Sequence, residues 1–225
     1  MTEEDKSLDL AGIGKLAKAI PDSAWLKLVD TACDTFSKVI APITSTTMGL
    51  GKLIEAKFDG MVDAQKILAS DAVQRANQKI EKSNRKPKGK IKSTVIISAI
   101  EKASIETDDS IRDLWANLIA NEILDGDVHP EFPRLVERIS SNDAIVLLKI
   151  AERSQKEKIK LAVKAITVSL NIFGITLSAL LEDESDFNRE HLRNLYLIQK
   201  SEGTWKLTLF GEEFLKSVSD PSFES

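Results

Sequence analysis

Apolar residues recur along this chain at helical spacing, in blocks separated by proline, glycine and capping residues. Leu10, Ile13, Leu16, Ala17 and Ile20 share one face of a short helix over 8–20 that Pro21 ends. Asp22 or Ser23 then caps a helix carrying Trp25, Leu28, Val29, Ala32, Phe36, Val39 and Ile40, which Pro42 interrupts. The stretch ITSTTMGLGKLIEAKF is apolar but loosened by Gly49 and Gly51. Beyond Gly60, about Met61 to Ser83, Val62, Ile67, Leu68, Ala72, Ala76 and Ile80 mark a more polar helix.

The second half is better punctuated. Val95, Ile96, Ala99, Ile100 and Ala103 define one helix. Thr107 or Asp108 caps the next, in which Ile111, Leu114, Trp115, Leu118 and Ile119 fall at i, i+3, i+4, i+7 and i+8 and Gly126 marks the end. Asp108 and Asp109 sit where the helix dipole favours negative charge. His129-Pro130 opens a short helix with Phe132, Leu135, Val136 and Ile139, and Ser140 caps another, with Asp143 completing a capping box. Residues 165–181 carry no charge, and Ile166, Val168, Leu170 and Ile172 alternate with polar neighbours, which predicts a strand. Asn188 is the expected N-cap of a later helix, with Phe187 and Leu192 as its hydrophobic staple. LIQKS, the turn EGT and WKLTL predict a hairpin with Gly203 at its tip, followed by the helix GEEFLKSV.

These elements predict a mainly α protein: a helical N-terminal region over 1–85, a basic linker over 86–92, a helical core over 93–153 and a small winged-helix-like C-terminal unit over 154–225 containing the β-hairpin. Composition agrees, with 42% hydrophobic and 29% charged residues. A net charge of −4 gives no global attraction to nucleic acid or anionic lipid, so such contact needs a local patch. Pro87 and Gly89 interrupt the strongest one, SNRKPKGKIKS. There Arg85, Lys86, Lys88, Lys90 and Lys92, joined by Arg189 and Arg193 near the hairpin, are the candidate anion or nucleic-acid contacts. The patch lacks aromatic residues to stack on bases, and Glu202 sits at the hairpin tip where a wing would meet phosphate. Cys33 is the only cysteine, which fits a reducing cytosol and a small buried hydrophobe, and MTEEDKSLDL lacks the order of a secretory signal. The expected place is therefore the cytoplasm.

Chemistry is harder to find. Gly51-Lys52 is followed by Leu53, so there is no P-loop, and Gly49-Leu50-Gly51 is no dinucleotide fingerprint. One cysteine and two distant histidines do not make a structural zinc site. Asp125, Asp127, His129 and Glu131 could hold a divalent metal, but a turn with acidic residues near a helix start explains them better. No nucleophile elbow is present, and His191 reads as an exposed helix residue. Trp25, Trp115 and Trp205 read as core. We therefore expect no catalytic, metal or cofactor site. A deep pocket on which Asp125, Asp127 and His129 converge would instead favour an enzyme.

The order DDSIRDLWANLIANEI, DVHPEF and ISSNDAIVLL resembles the abortive-infection alpha family of bacterial proteins. The matching positions are Ile111, Leu114, Trp115, Ala116, Leu118, His129, Pro130, Phe132, Ser140, Asp143 and Ala144, and LRNLYLIQKSEGTWKLTLFGEEFL is similar to that family's ending. The resemblance implies an antiphage role and brings no catalytic residues. It favours action on a protein partner from phage or host, or on a membrane through the apolar stretches 40–54 and 165–181, with nucleic-acid binding as the alternative.

Overall fold

The central helix of the molecule is buried on nearly every side. The computed structural model describes residues 48–88, 91–172 and 186–224, with scattered positions between 23 and 34. Its elements are α1 (Met48–Asp59), α2 (Asp63–Ser83), α3 (Ser93–Ala103), α4 (Asp109–Asp125), α5 (Phe132–Val136), α6 (Ser141–Glu152), α7 (Glu157–Ile172) and α8 (Asp186–Asn194). Strands β1 (Ile198–Ser201) and β2 (Thr204–Leu207), helix α9 (Leu209–Ser217) and a 3-10 turn (Pro221–Glu224) complete it. The protein is mainly helical, with a C-terminal antiparallel hairpin. The expected helix over 8–20, Trp25 and most of the following helix lie outside the described residues, as does Lys90.

Around α4 pack α2, α3, α5, α7 and α9. Trp115 is only 1% exposed, and Leu114, Leu118, Ile119 and Leu124 are buried beside it. One contiguous apolar core runs from Ile54 on α1 to Val218 after α9, across the boundaries expected near residues 86–92 and 153.

The local signals act as read. Asp108 caps α4 by accepting from the Ser110 and Ile111 amides at 2.9 and 3.2 Å. Gly126 ends the helix at φ 67°, a conformation open to glycine without strain. Ser140 and Asp143 form the capping box of α6: the hydroxyl accepts from the Asp143 amide at 3.1 Å, and the carboxylate accepts from the Ser140 amide at 2.8 Å. At the hairpin tip Glu202 and Gly203 both take positive φ, as a two-residue hairpin turn requires.

Several expectations fail, each for a physical reason. Residues 166–172 belong to α7, not to a strand. Ile159, Ala162, Val163 and Ile166 form a buried helical face that begins upstream of the alternating stretch, and packing on α6 and α9 decides the conformation. Asn188 is not a cap: α8 starts at Asp186, and the Asn188 amide instead donates to Asp143 Oδ1 at 2.8 Å. Phe187 is exposed and forms no staple. Trp205 is only half-buried, with the Lys200 ammonium 5.8 Å over its ring. Cys33 is half-buried against the core.

Candidate functional site

Beside its apolar face, α4 carries polar side chains that are also buried: Asp113, Asn117, Asn121 and Glu122. The first three are four residues apart and so form one stripe. Lys79 of α2, itself 9% exposed, donates to Asp113 Oδ2 at 3.1 Å and to Asp220 Oδ2 at 3.0 Å. Burial alone would raise the Asp220 carboxyl, but the Lys79 charge and the Ser222 hydrogen bonds outweigh it and hold it below the ordinary carboxylate range. The Asn117 amide donates to Val218 O at 2.8 Å, and the Asn121 amide to Ser217 O at 2.9 Å and Ser219 O at 2.8 Å. These carbonyls lie at and just beyond the C-terminus of α9, where the helix supplies no partner. Higher on the same side, Arg75 and Arg112 bridge Asp71 and Asp109.

Glu122 holds the loops at the other end of α4. Its carboxylate accepts from the Lys92 amide and, at 3.1 Å, from the Val128 amide. Burial raises the Glu122 carboxyl despite those two donors.

The expected basic contacts converge on this same end. The Arg85 guanidinium donates to both oxygens of Asp125 at 2.6 Å, Lys88 Nζ lies 2.5 Å from Asp125 Oδ1, and Lys92 Nζ donates to Gly126 O at 2.5 Å. Cations at a helix C-terminus complement its dipole. Burial pushes the Asp125 carboxyl up; Lys88 and Arg85 outweigh it and bring it below its usual value. Lys86 is exposed. Arg189 and Arg193 lie on α8, apart from this cluster in sequence, and pair with Asp186 at 3.1 Å and Glu190 at 2.6 Å.

Asp125, Asp127 and His129 do line one cleft, of about 650 Å³, with Phe132, Phe210, Asn121, Ser217 and Lys158 among its other walls. Its floor is aromatic: the His129, Phe132 and Phe210 ring centroids lie 5.3–5.8 Å apart. His129 Nδ1 accepts the Glu131 amide at 3.2 Å, and among the described residues the imidazole has no hydrogen bond to a carboxylate or hydroxyl. Glu131 pairs with Arg134 instead. No group of three or more His, Cys, Asp or Glu among the described residues could hold a metal ion.

His191 is half-buried rather than exposed, with Nδ1 3.3 Å from Asp143 Oδ2. Burial would raise the Asp143 carboxyl. The Asn188 and Ser140 hydrogen bonds and the His191 charge prevail and lower it.

The family model for abortive infection alpha matches residues 64–218, well over half of the chain. The chain belongs to the abortive infection alpha family. Membership implies a role in phage defence. No curated relative and no solved structure matches the chain. The match spans α2 through α9 and takes in the stripe, the latched basic segment and the cleft.

Within this abortive infection alpha segment the Phe-Gly-x-x-Phe ending has a steric basis. Thr208 caps α9 through its hydroxyl, which accepts from the Gly211 amide at 2.9 Å, while the Thr208 amide donates to Leu197 O at 3.1 Å. A methyl group on Gly211 would overlap the Leu197 carbonyl oxygen and stand 2.9 Å from its carbon. Lys79, Asn117, Asn121 and Gly211 were missed from the sequence. The spacing of Asp113, Asn117 and Asn121 was visible there, but a polar stripe on a helix normally means solvent.

Proposed function

We propose that this protein is a non-catalytic antiphage defence protein of the cytoplasm that acts by contact with a phage or host protein. The observation that carries the reading is that most of the cleft's charged groups, though not Asp127 or Lys158, are committed to structure. Asp125 is bound by two cations, Glu213 pairs with Lys216 at 2.6 Å, and His129 accepts a backbone amide. Activation of a side-chain nucleophile needs a base within hydrogen-bond reach of it. Such a pair is absent from the cleft among the described residues. The convergence of Asp125, Asp127 and His129 favours the competing reading, an enzyme.

Contact with a membrane fits less well. Among the described residues no helix is long and apolar enough to cross one. Where the side chains of the two apolar stretches are described, Ile54, Ala165 and Ile166 are buried, while Leu53 is exposed. The nucleic-acid alternative is weakened because Arg85, Lys88 and Lys92 spend charge on the end of α4. The order of α6, α7, α8 and the hairpin supports a winged-helix-like unit, but its tip carries Glu202.

Three assays on the full-length protein separate these readings. Expression should lower phage plating, purified protein should release no dye from liposomes with or without phage lysate, and no salt-dependent mobility shift should depend on Lys86 and Lys88. Dye release would replace the protein-contact reading with a membrane one. A shift abolished by Lys86→Glu with Lys88→Glu would replace it with nucleic-acid binding.

A further inference from the structure

Residues 218–223 leave the end of α9 and cross the polar stripe of α4 as a strap. Ser219, Asp220 and Pro221 are buried there. Val218, whose side chain enters the core, the buried Pro221 and the half-buried Phe223 are the strap's apolar anchors, and the rest are polar: the Asn117 and Asn121 amides on its carbonyls and Lys79 on the Asp220 carboxylate. A contact buried permanently is held as well or better by apolar groups, as on the opposite face of α4. A polar stripe behaves differently when its cover is released. Its amides and charges regain water, so lifting the strap costs far less than opening an apolar seam. The strap borders the neighbouring cleft, because Asn121, which holds it, and Lys216 and Ser217, which lead into it, line that cleft.

We propose that residues 218–223 are a latch, and that the stripe beneath is a docking site for a short turn-forming acidic segment, occupied at rest by the chain's own strap. The two asparagine amides read backbone carbonyls, and Lys79 reads one carboxylate. The latch rests on this geometry alone and stands independently of the protein-contact reading.

Hydrogen exchange on the full chain tests the latch. The amides of 218–220, 222 and 223 should exchange faster than those of α3 and α6, through an opening that leaves both helices protected. Asp220→Asn, which removes a charged hydrogen-bond partner, should speed strap exchange by about tenfold with α3 and α6 unchanged. Strap amides that exchange only together with α3 and α6 would overturn the latch, as would an Asp220→Asn effect spread evenly over all three.

Fluorescence anisotropy with a labelled peptide of residues 216–225 tests the site. The peptide should bind the Asp220→Asn chain about tenfold more tightly than the unaltered chain, whose tethered strap competes at high effective concentration. Adding Lys79→Met should abolish that gain. Equal binding to the two chains, or binding to neither, would overturn the docking site.

Discussion

The apolar face of α4 and its polar stripe are equally buried and built from opposite materials. Leu114, Trp115, Leu118 and Ile119 join a core shared with α3 and α5. Asp113, Asn117 and Asn121 meet α2 and the C-terminal strap through named hydrogen bonds. The apolar side gains from area removed from water, tolerates small displacements and announces itself by its period. On the polar side each bond needs a partner at one distance, and any one left unmade costs a desolvation penalty. One face therefore holds the molecule together, while the other fixes which segments lie together.

Substitutions can break this contrast, and the largest effect belongs to the apolar face. Trp115→Ala should cost about 3–5 kcal/mol in urea unfolding, since it empties a fully buried indole site. Near-unchanged stability would mean that the indole packs loosely. Trp115→Phe should cost much less. It keeps a ring in place and removes an indole N–H that has no hydrogen-bond partner among the described residues.

On the polar face Lys79→Met should cost about 3 kcal/mol, because Asp113 and Asp220 lose the cation between them. The cost should shrink when Asp220→Asn is added, and a double-mutant cycle with no coupling would break the assigned network. Gly211→Ala comes next, at about 1–3 kcal/mol, from the clash with the Leu197 carbonyl.

The smallest change is Asn188→Ala, about 1 kcal/mol at neutral pH, from one lost hydrogen bond to Asp143. Its pH dependence sharpens the point. The folded Asp143 carboxyl lies below its ordinary 3.8, so its contribution is fully present above that value and is lost as pH falls through the native pKa. Mutant and wild type should therefore converge in acid, and a gap that persists there would make the Asn188 effect one of packing. Asp125 and Asp220 follow the same sign. Glu106 and Glu122 follow the opposite one: their raised carboxyls weaken the fold as pH rises from 4.5 through their native values.

What the sequence disclosed tracks the same division. The caps Asp108, Ser140 and Gly126, the α4 apolar set and the hairpin tip were legible because each is a local signal with a local cause. Residues 166–172 misread as a strand because a few alternating positions ignored the helical face set by Ile159, Ala162 and Val163. Asn188 carried a good cap residue's chemistry and spent it on Asp143, 45 positions upstream, which no local pattern records. The basic residues 85–92 were visible as charge, but their partners at the end of α4 depend on the tertiary fold. The cleft was half legible: Asp125, Asp127 and His129 stood out, while Phe210, Ser217 and Lys158 arrive from far along the chain.

Phage plating with the double variant Asp127→Asn, His129→Gln tests the central claim most directly, since it removes the cleft groups best able to do acid–base chemistry while leaving the Asp125 ion pairs in place. The account predicts that the variant melts like the unaltered chain and protects cells as well. Lost protection with unchanged melting would contradict the claim that these groups have no part in the activity.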